Sequence, residues 1–371
     1  MRRWIVVGAG LTGATLAERI AVKRGEPVTV FERRGHIAGN VHDFTGPHGL
    51  TQPLYGPHIF HTASRQVWDY VRRFATWTPY EHRVVAEIDG RHVPVPFNVT
   101  GMRALLGERA EPLIAALVGE YGRDARVPVL KLRDHADANL RELGAFVYAT
   151  IFEGYSNKQW GRPVDTLLPS VSARVPVVAG EDDRYFTDPY QAMPEGGYTA
   201  MVARMLDHPN IRVELETPYP AGRDEPGDTT VIHTGEIDAY FGRSLGALPY
   251  RSVRFETEHR RAARALPAAS VNYPDARPYT RVTEAKTITG EASPWTALIR
   301  DYPCAHVPGE TEPYYPIPAK ENAALYNAYA ALARRGRVVF GGRLGSYQYL
   351  NMDQAIGGAL ALFARLERFR A

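Results

Sequence analysis

The segment Trp4-Ile5-Val6-Val7-Gly8-Ala9-Gly10-Leu11-Thr12-Gly13 determines the fold. Its first four residues form an apolar run without alternation, which is typical of a strand buried on both faces of a parallel sheet. Three glycines follow in G-x-G-x-x-G spacing, and apolar residues at helical spacing continue from Ala14 to Arg24. The order of strand, glycine-rich turn and helix predicts the first unit of a Rossmann-like α/β fold.

A second apolar run, Val28 to Phe31, leads into Glu32, roughly 20 positions after Gly13, where this motif carries an acidic residue. In such a unit Gly8 makes the tight turn, Gly10 admits a pyrophosphate and Gly13 allows close helix packing. A carboxylate at Glu32 can accept both hydroxyls of a ribose. A tight turn without a ligand is the alternative, but the complete order of strand, glycines, helix and acid favours a dinucleotide site.

The position of this unit along the chain distinguishes FAD from NAD. The unit lies at the start, a further apolar strand ends at Thr234-Gly235, and a strand followed by Gly342-Arg343 lies near the end. Flavoproteins of this type begin with the adenosine-binding unit and finish with the strand and helix that hold the flavin. FAD is therefore the expected cofactor.

The composition of the 371 residues excludes several classes of protein. With 44% hydrophobic and 23% charged residues, the chain is neither disordered nor collagen-like nor a coiled coil. A formal net charge of +3 without blocks of like charge predicts no nucleic-acid partner. The apolar runs are too short to span a bilayer, no secretion leader follows Met1, and the single cysteine, Cys304, cannot form an intrachain disulfide. We therefore expect a cytoplasmic protein with no membrane partner and no metal.

The rest of the chain predicts two further structural units. Residues Arg83 to Phe97 predict a hairpin around Asp89-Gly90, and the Ala, Leu, Glu and Arg content between 98 and 152 predicts a small helical domain. Scattered β-rich segments at Val171 to Phe186 and Val253 to Ile299 predict an antiparallel sheet. The expected division is a discontinuous Rossmann-like domain (1–80, 190–245 and 315–371), an inserted helical domain with a mobile substrate loop (98–152) and an antiparallel β-sheet domain (81–97, 153–189 and 246–314).

The segment Tyr55-Gly56-Pro57-His58-Ile59-Phe60-His61-Thr62 places two histidines three positions apart. No carboxylate or cysteine cluster accompanies them, so the segment is a poor metal site. A pair of hydrogen-bonded loop histidines is one interpretation. The Gly-Pro start indicates instead a backbone that passes close to a flat group.

Other segments carry groups that stack on rings or bind phosphates. Tyr155-Ser156-Asn157-Lys158-Gln159-Trp160-Gly161 contains both kinds, although an amphipathic helix end with Trp160 in the core is an equal alternative. Arginine forks and phenol hydroxyls suit a diphosphate. Such residues occur at Arg174, Tyr185, Arg281, Tyr314-Tyr315-Pro316 and Tyr347-Gln348-Tyr349.

Together these segments resemble a known family. The blocks that carry the resemblance are Gly56-Pro-His58-Ile-Phe-His61-Thr, Tyr155-Ser-Asn-Lys-Gln-Trp160-Gly, Arg174-Val-Pro-Val, Asp182-Asp-Arg-Tyr185-Phe, Thr234-Gly-Glu-Ile-Asp238-Ala-Tyr240-Phe241, Tyr279-Thr-Arg281-Val-Thr-Glu284 and Gly342-Arg343-Leu-Gly-Ser-Tyr347-Gln-Tyr349-Leu-Asn-Met352-Asp353. In this order, from about residue 4 to 360, they resemble bacterial UDP-galactopyranose mutases.

The resemblance implies a flavin-dependent isomerase that interconverts the pyranose and furanose forms of a nucleoside-diphosphate sugar without net redox change. In that family N5 of reduced FAD attacks the anomeric carbon and displaces the nucleoside diphosphate. The substrate would be UDP-galactose or a related sugar such as dTDP-fucose. A reductant for FAD, either NAD(P)H or a reductase, and a homodimer are also implied.

Position by position, the resemblance implies three sets of site residues. Arg174 and Arg281 would hold the diphosphate and stabilise it as a leaving group, and His58 would lie against the flavin near N5. Substrate contacts would come from Phe152, Tyr155, Ser156, Trp160, Tyr185, Asn272, Tyr314 and Tyr349. FAD contacts would come from Gly8, Gly10, Gly13, Glu32, Arg33, Asn40, His58, Arg343, Asn351, Met352 and Asp353.

Three positions depart from the family's usual pattern. Val178-Ala179-Gly180 is small and apolar where an aromatic and polar run is common, which predicts a pocket wall suited to a 6-deoxy sugar such as fucose or to another nucleoside diphosphate. Asn351 replaces an aspartate, and Ala38 replaces the first glycine of a Gly-Gly-Asn. Two other functions remain open: an FAD-dependent redox enzyme of the amine oxidase-like class, and a nucleotide-sugar binding protein without catalysis.

Overall fold

The computed structural model describes residues 3–168, 176–220, 222–223, 225–334, 336 and 338–368. Its strands are β1 (Arg3–Val7), β2 (Val28–Phe31), β3 (Asp43–Thr45), β4 (Thr51–Pro53), β5 (Phe60–Thr62), β6 (Trp77–Pro79), β7 (Val84–Ile88), β8 (Arg91–Val95), β9 (Arg126–Pro128), β10 (Pro176–Val178), β11 (Tyr190–Pro194), β12 (Ile211–Glu214), β13 (Thr229–His233), β14 (Tyr250–Arg260), β15 (Ser270–Asn272), β16 (Arg281–Glu284), β17 (Thr296–Ala305), β18 (Tyr315–Pro316) and β19 (Val338–Phe340). Its α-helices are α1 (Leu11–Arg19), α2 (Arg65–Val71), α3 (Val99–Leu106), α4 (Ala110–Tyr121), α5 (Val129–Arg133), α6 (Ala138–Val147), α7 (Gly154–Trp160), α8 (Gly197–Leu206), α9 (Ile237–Tyr240), α10 (Ala285–Thr289), α11 (Lys320–Ala333), α12 (Gly342–Gly345) and α13 (Met352–Arg368).

A five-stranded parallel sheet in the order β12-β2-β1-β13-β19 forms the first layer. Its central strand β1 buries Trp4, Ile5 and Val6, as the unbroken apolar run predicts. Helix α1 packs on the sheet between α8 and α13. Because β1, β13 and β19 come from the start, middle and end of the chain, the predicted discontinuous Rossmann-like α/β fold is confirmed.

The first helix differs in detail from its prediction. The α-helical part ends at Arg19, and residues Ile20–Arg24 continue as one π-helical turn that stops at Gly25. Gly25 adopts φ 64°, the left-handed conformation that glycine favours at a helix end. The predicted end of the helix is therefore confirmed, although its last turn is wider.

A seven-stranded sheet in the order β18-β14-β17-β16-β15-β7-β8 forms the second layer. Its pairs are antiparallel except that β15 and β7 run parallel. The predicted hairpin is β7–β8, in which Asp89 and Gly90 both adopt positive φ, as a tight hairpin turn requires. Two segments lie elsewhere than expected: β18 joins this sheet rather than the parallel one, and β10 pairs with β9 beside the helices.

The helical region packs against the β7–β8 hairpin around one apolar core. This core contains residues of α3 to α6 and continues through Phe152 to Trp160, Val164 and Leu167. A π-helical turn, Tyr148–Glu153, joins α6 to α7 without a loop. The predicted domain boundary at residue 152 therefore falls inside a continuous helical segment. None of the described helices is both long and apolar enough to cross a bilayer.

Candidate active site

A cavity of about 340 Å³, here called the dinucleotide cavity, lies at the carboxyl ends of β1, β2 and β13. Ligands of open α/β sheets bind at this edge of the sheet. Most of the predicted FAD contacts line it, namely Gly8, Gly10, Glu32, Arg33, Asn40, His58, Arg343, Asn351 and Met352. Of the other two, Gly13 packs behind the cavity, and Asp353 accepts a hydrogen bond from Thr62 Oγ1 at 3.0 Å.

The glycines in and near the motif allow close contacts that any side chain would block. Gly8 adopts φ 101°, and a Cβ there would lie 2.2 Å from Thr234 Oγ1. A Cβ on Gly13 would lie 1.9 Å from the carbonyl oxygen of Gly8, and one on Gly39 would lie 2.9 Å from Gly10 Cα. These close approaches leave the N-terminus of α1 open to the cavity, where its N–H groups can receive a pyrophosphate.

The Glu32 carboxylate is held at the end of β2 by two main-chain donors. Its Oε2 accepts from Ala9 N at 2.8 Å, and its Oε1 accepts from Arg34 N at 3.0 Å. Each oxygen keeps a lone pair for a ribose hydroxyl. The glycine cradle, the open helix N-terminus and this fixed acid fit the dinucleotide that the sequence predicts.

His58 lies where the dinucleotide cavity meets the seven-stranded sheet. Its Nδ1 lies 2.9 Å from the Gly56 carbonyl, which assigns the proton to Nδ1 and leaves Nε2 as an acceptor. Burial, aided by the charges of Arg343 and Arg281, lowers the pKa of His58 to about 4, so its ring is neutral at pH 7.

The second histidine of the segment has a different role. His61 Nδ1 lies 2.7 Å from Asp188 Oδ2, and its ring stacks on Phe186 at 3.6 Å between centroids. His61 is therefore a hydrogen-bonded histidine, as in the alternative interpretation, but it lies in strand β5 rather than in a loop. Among the described residues, no group of three or more His, Cys, Asp or Glu side chains could hold a metal ion.

Several lining residues were missed by the sequence analysis. Pro218 and Tyr219 come after β12, Glu236 precedes α9, Tyr240 is the last residue of α9, and Arg34 lies two residues after Glu32. Arg34 donates to Asn40 Oδ1 at 3.0 Å, and its guanidinium lies 4.5 Å from the ring centre of Tyr55. The two basic residues after Glu32 were a usable signal for Arg34, whereas nothing in the segment around Tyr219 marks it as a ligand-binding position.

One row of cross-strand partners brings three polar side chains together on one face of the seven-stranded sheet. Arg281 of β16 lies directly opposite Asn272 of β15 and Asp301 of β17, and Asp301 lies opposite Phe255 of β14. Directly opposite residues point to the same face of a sheet. Arg281 donates from Nε and Nη2 to Asp301 Oδ2, at 3.0 and 2.5 Å. Within the described part of the chain, Asp301 Oδ1 and Asn272 Oδ1 have no hydrogen-bond partner.

Tyrosines surround the Arg281 guanidinium. The arginine–tyrosine cluster consists of Arg281, Asp301, Tyr155, Tyr185, Tyr315 and Tyr349. Burial opposes the charge of Arg281, but Asp301 and the phenols of Tyr155 and Tyr315 raise its pKa, so it is a permanent cation. Burial raises the pKa of the Tyr155 and Tyr315 phenols, which therefore stay protonated and able to donate. A partly buried cation among phenol donors suits a diphosphate.

Trp160 and Arg343 border this cluster. The Trp160 ring lies 5.7 Å from Tyr349 and 6.2 Å from Tyr315. The Arg343 guanidinium lies 5.4 Å from the ring centres of both tyrosines. Because Arg343 also lines the dinucleotide cavity, the cavity and the cluster are adjacent.

The phenols of Tyr314 and its neighbour Tyr315 face different charged groups. The Tyr314 ring lies 6.1 Å from Tyr55, 5.9 Å from Phe255 and 6.0 Å from Tyr315, and its phenol interacts with the charge of Arg34. Tyr315 instead interacts with Arg281 and Arg343. The tyrosine beside Arg281 in this tract is therefore Tyr315, whereas the sequence analysis selected Tyr314.

The other predicted substrate residues lie on α7 or beside it. Ser156 is buried on α7, and Phe152 packs in the helical core with its ring 6.0 Å from Tyr148. The Tyr185 ring lies 5.8 Å from His82. Arg174 lies outside the described residues.

The small segment Val178-Ala179-Gly180 has a packing explanation. Val178 N and Ala179 N donate to the carbonyls of Phe97 and Ala125, and all three side chains from Val177 to Ala179 are buried. A Cβ on Gly180 would lie 1.9 Å from Asp124 Oδ1. The segment packs into the helical region and lines no part of the dinucleotide cavity, so the expected wall for a 6-deoxy sugar has no support here.

Comparison with known proteins identifies the family. A family model described as UDP-galactopyranose mutase matches residues 150–349. The chain is also 35% identical to the probable UDP-galactopyranose mutase of Klebsiella pneumoniae, over 96% of this chain and 92% of that protein. The chain belongs to the UDP-galactopyranose mutase family. This membership confirms the resemblance found in the sequence and the prediction of an enzyme of the mutase class.

Other comparisons agree with membership of the UDP-galactopyranose mutase family. A dTDP-fucopyranose mutase from Escherichia coli is 32% identical over 97% of both chains, and residues 6–74 match an NAD(P)-binding Rossmann-like domain. A crystal structure of reduced UDP-galactopyranose mutase superposes with a TM-score of 0.76 at 15% identity, covering 100% of this chain and 96% of the other. A protein described as a protoporphyrinogen oxidase from Exiguobacterium has a TM-score of 0.65, also at 15% identity, over 99% of both chains. At such identities the solved structures show the fold alone.

Proposed function

We propose that this chain interconverts the pyranose and furanose forms of a nucleoside-diphosphate sugar and depends on FAD in its reduced state. The observation that carries this proposal is the adjacency of two sites. A dinucleotide cavity and a partly buried arginine–tyrosine cluster meet at His58 and Arg343. The names of the two relatives, a UDP-galactopyranose mutase and a dTDP-fucopyranose mutase, support the substrate class.

The dinucleotide cavity would hold FAD through main-chain and side-chain groups. The pyrophosphate would lie at the N-terminus of α1, a ribose at Glu32, and the flavin end towards His58 and Arg343. When bound and reduced, FAD supplies a nucleophilic nitrogen, N5, for the anomeric carbon of the sugar.

The arginine–tyrosine cluster would bind the diphosphate of the substrate. Arg281 would neutralise its charge as the bond to the sugar breaks, and Asp301 keeps the guanidinium oriented through two donors. The phenols of Tyr155, Tyr315 and Tyr349 would donate to the same oxygens. Arg174 is proposed as a second cation on the basis of the family motif alone.

His58 would act as a neutral acceptor beside the reacting atoms. Its Nδ1 proton is committed to the Gly56 carbonyl, and its low pKa keeps Nε2 unprotonated at pH 7. A neutral ring adds no positive charge to compete with Arg281 for the leaving diphosphate.

The direct test measures turnover in both redox states of the flavin. The purified protein is reduced with dithionite or left oxidised, and the products formed from UDP-galactofuranose and dTDP-fucopyranose are separated by chromatography. We expect interconversion only in the reduced state, without net oxidation of the flavin. Bleaching of the oxidised flavin by a bound substrate in a single turnover would instead indicate the amine oxidase-like redox class, whose fold the protoporphyrinogen oxidase neighbour shares.

The same experiment ranks the two sugars. The relatives that act on different sugars are almost equally similar to this chain, at 35% and 32% identity. UDP-galactose and dTDP-fucose are therefore both proposed substrates. A homodimer, a cytoplasmic location and NAD(P)H or a reductase as the electron source stay predictions.

A further inference from the structure

Helix α7 and the loop that joins β15 to β16 are in close contact. Gly154 and Lys158 lie four residues apart on α7 and therefore share one face. A Cβ on Gly154 would lie 2.0 Å from the carbonyl oxygen of Pro274, so the helix start approaches the loop as closely as a glycine allows. Lys158 makes the second contact one turn later.

The Lys158 ammonium group binds three carbonyls of this loop. Its Nζ donates to Tyr273 O at 2.6 Å, to Arg277 O at 3.0 Å and to Tyr279 O at 3.0 Å. An ammonium has three N–H donors, so all of them are used on one loop. The loop is also fixed from its other side, where Arg277 Nη2 lies 2.5 Å from Glu87 Oε1 on β7.

These contacts join the two elements that carry the arginine–tyrosine cluster. The loop leaves β15 after Asn272 and enters β16 at Arg281, and these two residues are cross-strand partners. Helix α7 carries Tyr155, whose phenol interacts with the charge of Arg281. Lys158 therefore ties the helix that carries Tyr155 to the loop that leads into Arg281.

We propose that Lys158 is a positioning residue for substrate binding, which sets the spacing between Tyr155 on α7 and Arg281 on β16. The proposal rests on the proposed function, because the affected ligand is the nucleoside diphosphate of the substrate. Lys158 itself does not touch the substrate. Its loss leaves three carbonyls without their donor and frees α7 to move relative to the loop.

Lys158→Met tests this, because methionine keeps an unbranched side chain of similar length but has no donors. We expect the flavin-to-protein ratio to stay unchanged. The Kd for UDP, measured by calorimetry, and the KM for the nucleotide sugar should both rise by about 10-fold, which corresponds to about 1.4 kcal/mol. The kcat should stay within about 3-fold of wild type, because the reacting groups keep their identity. Lys320→Met, at the exposed start of α11, is the matched control and should change neither constant.

Hydrogen exchange provides a readout that does not depend on the substrate. In Lys158→Met we expect faster exchange in residues 154–161 and 273–281 together, with no change in the parallel sheet. Faster exchange with unchanged KM and Kd would overturn the positioning role and leave only a structural one. A kcat that falls as much as kcat/KM would also overturn it. If wild-type protein binds neither UDP nor a nucleotide sugar, the proposed function fails, and the exchange result still reports on the contact.

Lys158→Arg covers the case in which the methionine variant does not fold. Arginine keeps the charge but spreads its donors over a planar fork, which cannot direct three of them to a single point. We expect an intermediate rise in KM, about 3-fold, with wild-type kcat and flavin content. A wild-type KM and Kd in this variant would contradict the proposal when Lys158→Met cannot be measured.

Discussion

The dinucleotide cavity and the arginine–tyrosine cluster are neighbours that are built in different ways. The cavity depends on main-chain groups and on glycines, and its key positions from Gly8 to Asn40 are close together along the chain. The cluster depends on side chains, and its members lie on α7, β16, β17 and the segments around Tyr185, Tyr315 and Tyr349. Only the register of the strands and the docking of α7 bring them together.

This difference determines how each region can be damaged. A site made by the backbone is destroyed when an atom is added, because a carbonyl or an amide cannot move out of the way. A site made by side chains is destroyed when a charge or a donor is removed, while the fold around it stays intact. Substitutions in the two regions should therefore separate cofactor content from turnover.

The largest effect is expected for Gly13→Ala. The added methyl group would lie 1.9 Å from the Gly8 carbonyl oxygen and would force α1 away from β1. We expect protein without bound flavin and a loss of about 3 kcal/mol in the free energy of unfolding, measured by flavin absorbance and by urea unfolding.

Gly358→Ala is the matched control for that variant. Gly358 is also a helical glycine, but it lies on the exposed face of α13, where an added Cβ meets nothing within 4 Å. Alanine there should stabilise the protein by about 0.5–1 kcal/mol and leave the flavin bound. Normal flavin content in Gly13→Ala would show that the motif does not form the cofactor site.

The second effect is expected for Arg281→Ala, which removes the cation of the cluster. We expect kcat/KM to fall at least about 100-fold, as for loss of a group that stabilises a charged transition state, with the flavin-to-protein ratio unchanged. Arg300→Ala is the control, because Arg300 precedes Asp301 on β17, points to the opposite face and pairs with Glu258 at 2.6 Å. Loss of flavin in Arg281→Ala, or equal loss of turnover in Arg300→Ala, would contradict the assignment.

The third effect is a loss of folding stability at acid pH, to which a buried histidine in each region contributes. Burial, with Arg281 and His61 adding to it, lowers the pKa of His82 beside the cluster to about 3, and burial lowers that of His233 in the cavity to about 4. Each ring binds fewer protons folded than unfolded, so its contribution to stability is complete above about pH 6.5 and is lost as the pH falls towards 4.

We therefore expect the free energy of unfolding to fall between pH 6.5 and pH 4, by up to about 1.4 kcal/mol per pH unit for each histidine. His82→Gln and His233→Gln should each reduce this slope, measured by urea unfolding at a series of pH values. An unchanged slope in both buried variants would show that these rings are not held neutral.

The smallest effect separates two adjacent tyrosines. Tyr315→Phe removes a phenol donor from the cluster and should raise KM by about 5- to 10-fold, the value of one hydrogen bond to a charged group. Tyr314→Phe removes the same atom one residue away, near Arg34 and Tyr55, and should leave KM unchanged. The opposite ranking would restore Tyr314 as the substrate contact.

The cavity was predictable from the sequence for a physical reason. Gly8, Gly10 and Gly13 act through local backbone geometry within one turn, and Glu32 reaches Ala9 because β1 and β2, the two strands of this unit, are paired neighbours. The same reasoning found the β7–β8 hairpin, since Asp89-Gly90 can adopt the positive φ angles of a tight turn. Tyr219, by contrast, reaches the cavity from a loop that no local pattern marks.

The cluster was predictable only in part. The resemblance supplied Arg281 and Tyr155, but the partnership of Arg281 with Asp301 depends on the register of β16 against β17, which no local spacing encodes. Which of Tyr314 and Tyr315 faces Arg281 depends on how side chains alternate between the two faces at the short strand β18. Val178-Ala179-Gly180 showed the reverse error, because residues that are small for packing in a core were interpreted as the wall of a pocket.

The order of the parallel sheet has a consequence for the synthesis of the protein. Strand β1 lies between β2 and β13, and the cavity is completed by Met352 at the start of α13. A ribosome that adds about 5–20 residues per second needs roughly 15–60 s to proceed from Glu32 to Met352. For the first part of that time, until β13 is made, one edge of β1 has no partner, and until Met352 is made the cavity lacks part of its lining. A nascent chain that stops before α13 never possesses a complete site.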